Sequence, residues 1–211
     1  MNAINPDRDI EAVLQDRFVP PSAVTIAALR ANLASVADRD GLLDVAYREL
    51  DSPYGPLLLA STPAGLVRLA FAIEDHDAVL GELAAAVSPR ILRQPARLDA
   101  VSRELDEYFA ARRRTFTAPV DLQLAHGFRY EVLLHLRSVP YGATTSYTEL
   151  AAASGSPAAV RAVGSACARN PVPLLVPCHR VVRRDGTIGD YRGGTEMKRA
   201  LLAMEAAPPR G

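Results

Sequence analysis

The sequence predicts an α+β protein built in two halves, and three features point there. Between residues 43 and 71, apolar runs of five or six residues are separated by "DSPYGP" and "PAG", the Pro- and Gly-bounded pattern of hairpin strands. After residue 76 the apolar spacing changes to the three-and-four repeat of helices. From "GFRYEVLLHLRSV" onward the pattern is mostly helical, and two short helices there meet at a glycine.

Taken in order, residues 1–40 read as a helical leader, "DIEAVLQDRF" and then "PSAVTIAALRANLASVADRD", joined through Pro20 and Pro21. No chemistry attaches to it. Strands are predicted in "LLDVAYREL", "LLLAST" and "LVRLAFA", helices in "DAVLGELAAAV" and "LDAVSRELDEYFAAR", and another strand in "RTFTAPVDL". Residues 41–122 thus form a small α/β domain, and 123–211 a second, helical one. In the second, "PYGATT" breaks the first helix. Ser146 and Glu149 stand in capping-box spacing at the head of the next. Gly155 ends it. Ser156 is expected to cap a further helix, with Pro157 in its first turn. These two helices make a helix-turn-helix. An apolar strand is then expected to lead into Cys178. Asp185-Gly186 signals a hairpin turn, Gly193 and Gly194 a loop, and "TEMKRALLAMEA" a last helix carrying Glu205.

Composition narrows the function classes. No run reaches the roughly 18 apolar residues of a membrane helix, and the N-terminus lacks the basic start and apolar block of a signal peptide. The expected compartment is therefore cytoplasmic. Two cysteines, Cys167 and Cys178, are too few for a disulfide framework and are expected as free thiols. Basic and acidic residues balance at 24 each, so no global field argues for a nucleic-acid partner. Locally, eight basic residues face three acidic ones between Arg161 and Arg199, a weak pointer to a phosphate-contacting surface. Lys198 is the only lysine, which reads as base composition rather than function.

The chemistry concentrates in "NPVPLLVPCHRVV". A reactive cysteine must be partly thiolate, and an imidazole or positive field favours that form. Successive residues on a strand face opposite sides, so contact between Cys178 and His179 needs a non-strand backbone, which Pro177 can enforce. Glu205 on the last helix is a candidate to orient the imidazole. Taken alone, a free cysteine is more often a buried core residue, and a single histidine a satisfied core one.

This segment resembles the active-site segment of the O6-alkylguanine-DNA alkyltransferases, also called methylated-DNA–protein-cysteine methyltransferases. The resemblance runs from about Leu43 to Ala206. "SPYGPLLLAST" resembles that family's N-terminal hairpin, and residues 1–40 are not covered. It implies a ribonuclease H-like N-terminal half and a C-terminal half with the helix-turn-helix and the acceptor cysteine. It implies direct-reversal DNA repair: irreversible, single-turnover transfer of an alkyl group from O6-alkylguanine to protein, with O4-alkylthymine as a further candidate substrate. The partner is double-stranded DNA, no cofactor is implied, and a monomer suffices.

Residue by residue, the resemblance makes Cys178 the acceptor, His179 the group that deprotonates it through a water, and Glu205 the support of His179. Asn170 matches the hinge asparagine after the recognition helix. Tyr147 matches the tyrosine whose hydroxyl serves ring N3 of the departing guanine. Arg161 matches the finger that fills the gap left by a flipped base, since a base inside a duplex cannot reach a pocketed thiol. Ala159, Ala162 and Gly164 suit entry of a helix into the minor groove, where readout is degenerate. Arg169 and Arg183 are candidates for phosphate contact. The loop "GDYRGG" resembles the family's pocket loop, with Tyr191, Arg192 and Gly193 around the alkyl group and the main chain near Val181 facing the guanine amine.

The sequence departs from the family at the helix before "PYGATT". It keeps Phe128 and Val132 but carries Arg129 and Leu133, and it has no tryptophan. No metal-ligand spacing is present, so no metal is expected. No second acceptor domain with clustered cysteines precedes residue 40, so a dual regulatory role is not expected. Two other functions remain open at this point. One is a protein that binds or senses alkylated DNA without repairing it. The other is a cysteine hydrolase, which leaves Tyr147, Arg161 and the helix-turn-helix unexplained.

Overall fold

The computed structural model describes residues 22–207. The "DIEAVLQDRF" part of the leader lies outside them. The second leader helix is present as α1 (Ala23–Arg39), capped by the Ser22 side chain, which accepts from the Thr25 backbone N–H. Its last turns bury Ala34 and Ala37, and Asp38 pairs with Arg97 of the N-terminal half.

That half is a four-stranded sheet of β1 (Val45–Leu50), β2 (Leu57–Thr62), β3 (Gly65–Ala70) and β4 (Ile91–Arg93), in the order β3-β2-β1-β4. The first three form the antiparallel meander the sequence predicts, while β4, three residues long and unpredicted, runs parallel to β1. Side chains alternate across β2. Leu57 and Leu59 face one core, with Leu98, Val101, Leu105 and Tyr108; Leu58 and Ala60 face another, with Val79 and Leu83. The second layer comes from α2 (His76–Ala86) and the first from α3 (Asp99–Phe109). With a layer on each face, every residue of β2 is buried.

"RTFTAPVDL" is not a strand. It makes one isolated bridge, Val120 to Leu66. The Glu104 carboxylate takes the backbone N–H groups of Thr117 (2.9 Å) and Ala118 (3.1 Å), and Pro119 has none to give. The ladder is therefore pre-empted. Pro119 O does accept from Leu66 N at 2.8 Å, so close to Gly65 that a Cβ there would lie 2.4 Å from that oxygen.

The C-terminal half comprises α4 (Phe128–Arg137), α5 (Tyr147–Ala153), α6 (Val160–Ala168) and α7 (Thr195–Ala206). In α4, Val132 and Leu133 are both buried in the large core. The capping box at Ser146 and Glu149 forms, and Gly155, at φ 74, turns the chain after α5. Ser156 does not cap α6. Ser156 to Ala159 form a separate turn, closed by Ala159 N–H to Ser156 O at 2.9 Å, and Ala159 is the residue before the helix. Pro157 thus takes the second position of a turn, which suits its fixed φ as well as a helix start does.

Candidate active site

The apolar run into Cys178 is not a strand. Pro171, Pro173 and Pro177 remove three backbone donors, and Leu174 sits at φ 74. The segment is an irregular buried loop whose polar backbone must find other partners. Asn170 supplies them: its Oδ1 accepts from Val172 N (3.0 Å), and its Nδ2 donates to Val176 O (2.7 Å) and reaches Cys178 Sγ (3.2 Å). Cys178–Arg180 then form one 3₁₀ turn, closed by Arg180 N–H to Pro177 O at 2.9 Å. This is the non-strand backbone that consecutive Cys and His require. A parallel pairing of β5 (Thr145–Ser146) with β6 (Val181–Val182) ties this turn to the head of α5 and so brings Tyr147 beside it.

His179 and Arg180 both point at Glu205 on α7. His179 Nε2 lies 3.0 Å from Glu205 Oε1, and the Arg180 guanidinium grips both oxygens, at 2.8 and 2.9 Å. Tyr108, on α3 of the N-terminal half, donates its hydroxyl to Oε1 at 2.7 Å, and Gly142 N–H lies 3.3 Å from Oε2. Burial alone would raise the Glu205 pKa, but the hydrogen bonds from His179 and Arg180 reverse this and hold it well below the carboxylate range. An ionised Glu205 fixes the imidazole as the Nε2–H tautomer, leaving Nδ1 as the acceptor. Nδ1 is buried without a protein partner among the described residues. Burial lowers the His179 pKa against the pull of Glu205, and burial raises the Cys178 thiol against the Asn170 hydrogen bond.

Cys178 opens onto a cavity of about 500 Å³, walled by Tyr147, Gly164, Cys167, Arg183, Tyr191 and Arg192, among others. Burial, then the nearby thiols, raises the Tyr147 phenol, so it is a proton donor at neutral pH. Gly189 makes room for it: a Cβ there would lie 2.9 Å from the Tyr147 hydroxyl. Arg192 reaches Glu74 of the N-terminal half at 3.4 Å.

The remaining expected residues divide. Arg161, Ala162 and Arg169 are exposed on or just after α6, next to the cavity mouth. Ala159 precedes that helix rather than lying in it. Gly193 does not line the cavity; it packs on Met197, Tyr191 and Phe71. Val181 is fully buried, and its carbonyl is taken by Lys198 Nζ at 2.6 Å. Tyr108, Arg180, Cys167 and Lys198 were not singled out from sequence as site residues. For Tyr108 the only signal is its place on the apolar face of "LDAVSRELDEYF", which says core and nothing of its hydroxyl. Among the described residues no cluster of His, Cys, Asp and Glu is suited to a metal, and no helix is long and apolar enough to cross a membrane.

Known proteins share this arrangement of two halves. Residues 45–122 match the family described as 6-O-methylguanine DNA methyltransferase, ribonuclease-like domain, and residues 127–207 its DNA binding domain. The constitutive methylated-DNA–protein-cysteine methyltransferase of Bacillus subtilis is 37% identical over 160 residues, covering 75% of this chain and 94% of that protein. The crystal structure of Mycobacterium tuberculosis O6-methylguanine methyltransferase has a TM-score of 0.68 at 36% identity, covering 79% of this chain and 96% of that one. The structure of Mycobacterium tuberculosis OGT in complex with DNA has a TM-score of 0.67 at 35% identity, over 76% of this chain and 92% of that one. By this identity over most of its length, the chain belongs to the methylated-DNA–protein-cysteine methyltransferase family.

Proposed function

We propose that this protein repairs DNA by direct reversal, taking the alkyl group of O6-alkylguanine onto Cys178 in a single, irreversible turnover. The observation that carries the assignment of the acceptor is the placement of Cys178. Its Sγ faces the cavity, held by Asn170, next to an imidazole whose tautomer Glu205 dictates.

The family resemblance supplies the order of steps, and the placement of Cys178, His179 and Tyr147 supports it. The damaged nucleotide is turned out of the duplex at a cost of a few kcal/mol, and its base enters the cavity between α5, α6 and the 189–192 loop. Arg161, exposed on α6, takes the vacated place in the stack. The thiol proton passes through a water to His179 Nδ1, and Glu205 stabilises the imidazolium. The sulfur lone pair attacks the alkyl carbon, the bond to O6 breaks, and its electron pair passes into the guanine ring. Tyr147 neutralises the leaving base by donating at N3. The product thioether is a poor leaving group, so Cys178 is consumed. Arg169, exposed just after α6, and Arg183, at the cavity wall, are assigned to phosphates.

We divide the chain into a leader (1–40), an N-terminal α/β domain (41–122) and a DNA-binding catalytic domain (123–211). We place its action in the cytoplasm, where free thiols persist, as a monomer.

The test is peptide mass analysis after mixing excess protein with a duplex bearing one O6-methylguanine. One methyl on the Cys178 peptide per lesion is the expected result. Unmodified protein that still retards the duplex would replace repair with lesion sensing. A methyl on Cys167 would move the acceptor.

A further inference from the structure

Lys198 is the only lysine in the chain, and it is fully buried. A buried ammonium ordinarily has a carboxylate partner, because an unpaired charge in the interior is expensive. Lys198 has none: among the described residues its hydrogen-bond partner is a carbonyl, Val181 O, at 2.6 Å. The carboxylate of the site, Glu205, is already matched by Arg180 and His179. Burial pushes the Lys198 pKa down, and the groups that pull it back up are Cys178 first, then Cys167 and the rim residue Asp190. Arg183 acts the other way.

The same imbalance appears from the side of the sulfur. When Cys178 gives its proton to His179, the imidazolium has Glu205, but the side chain hydrogen-bonded to the sulfur among the described residues is the neutral Asn170 amide. Around the sulfur stand the Cys167 thiol, the phenols of Tyr147 and Tyr191, the cation Arg192 and the exposed rim charges Arg183 and Asp190, with Lys198 behind, at the Val181 carbonyl three residues along the chain. Arg192 is half-buried at the cavity wall and shared with Glu74. The interior cation with no acid of its own is Lys198.

We infer that Lys198 is the built-in countercharge of the Cys178 thiolate, held in place by its hydrogen bond to the Val181 carbonyl just past the 3₁₀ turn. Lys198 neither gives nor takes a proton in the reaction. It stabilises the anion formed when the thiol proton leaves for His179, and it thereby also holds the backbone of the acceptor turn. It is a positioning and electrostatic residue rather than one that touches the alkyl group. The inference rests on Cys178 being the acceptor.

Lys198→Gln separates charge from support, since the amide can still donate to Val181 O. The readout is the pH dependence of single-turnover methyl transfer from an O6-methylguanine duplex, with DNA affinity measured alongside. Loss of the charge is expected to raise the apparent thiol pKa by about one unit. Transfer then slows about tenfold near neutral pH and recovers toward the parent rate as pH rises, at unchanged DNA affinity. An unshifted profile, whether at parent rate or uniformly slower, would overturn the inference and leave Lys198 a structural residue. If the unaltered protein places no methyl on Cys178, the underlying assignment of the acceptor has failed instead.

A second measurement needs no folded Lys198 variant. Because the chain has one lysine, selective ¹³C labelling of lysine gives a single side-chain signal whose titration reports Lys198 directly. Methylated protein, whose thioether cannot become an anion, is expected to show a lower Lys198 pKa than the unmodified protein. Identical titrations in the two forms would sink the inference.

Discussion

The Tyr108 hydroxyl of the N-terminal half donates to Glu205 Oε1 at 2.7 Å, and the same oxygen lies 3.0 Å from His179 Nε2. The carboxylate that sets the imidazole tautomer is thus held from both halves of the molecule. Tyr108 is fully buried, ringed by Phe109, Phe116 and Tyr141. The N-terminal half therefore does more than cover the core: it places a phenol on the carboxylate that holds His179.

Tyr108→Phe should keep the ring packing and lose this one donor. Glu205 keeps Arg180, His179 and Gly142, so the expected cost is modest, about 1–2 kcal/mol in urea unfolding. Methyl transfer should slow several-fold because the Glu205–His179 geometry is less fixed. Parent-like transfer with the stability loss would confine Tyr108 to packing.

Asn170→Ala should be more damaging. It leaves Val172 N–H and Val176 O unpaired in the interior and removes the donor at Cys178 Sγ. The expected loss is about 2–4 kcal/mol, together with more than a tenfold drop in transfer. Single-turnover kinetics and a denaturant curve on the same preparation check both. A variant equal to the parent in both would remove Asn170 from the site.

Arg161→Ala should slow repair in duplex DNA by about tenfold while leaving reaction with the free alkylguanine base unchanged. The residue is exposed on α6 and does not line the cavity, so the proposed role is on the DNA rather than in the pocket. Equal slowing on both substrates would exclude a role in base flipping.

Stability should fall on acidification in two stages. His179 has a lowered pKa, so the unfolded chain binds its proton first; that contribution is complete above the ordinary value of 6.5 and shrinks as pH falls below it. Glu205 also has a lowered pKa; its contribution is complete above the ordinary 4.5 and is lost as pH falls further, toward its depressed folded value. Urea midpoints measured down to about pH 3 should therefore steepen below about pH 4.5. Glu205→Gln should make the steeper part shallower, the remainder coming from Glu104, Glu149, Asp44 and Asp185, whose hydrogen bonds also hold them low, and a curve of unchanged slope would mean that Glu205 is not a charge responsible.

What the sequence by itself determined lies mostly within a few residues of chain. The Pro- and Gly-bounded apolar runs of β1 to β3, the capping box of Ser146 and Glu149, the Gly155 turn and the Pro-Cys-His-Arg stretch are set by neighbours, so their physics is written locally. Glu205 is a candidate from the residues themselves, resemblance adds Asn170 and Tyr147, and all three converge on the Cys178 turn.

Tertiary structure decided the rest, because it depends on partners distant in the chain. "RTFTAPVDL" has the composition of a strand, but Glu104 from α3 captures its backbone donors. "NPVPLLV" is apolar like a strand, yet its prolines leave it to be braced by the Asn170 side chain and by Leu69 N–H at Pro171 O. Tyr108 stands 97 residues from Glu205, and Lys198 stands 17 from Val181. In the sequence one is a core aromatic and the other an isolated basic residue on a helix. Only when α3 and α7 pack around the 3₁₀ turn does burial strip water from the phenol and the ammonium, and a desolvated polar group must act on whatever lies beside it.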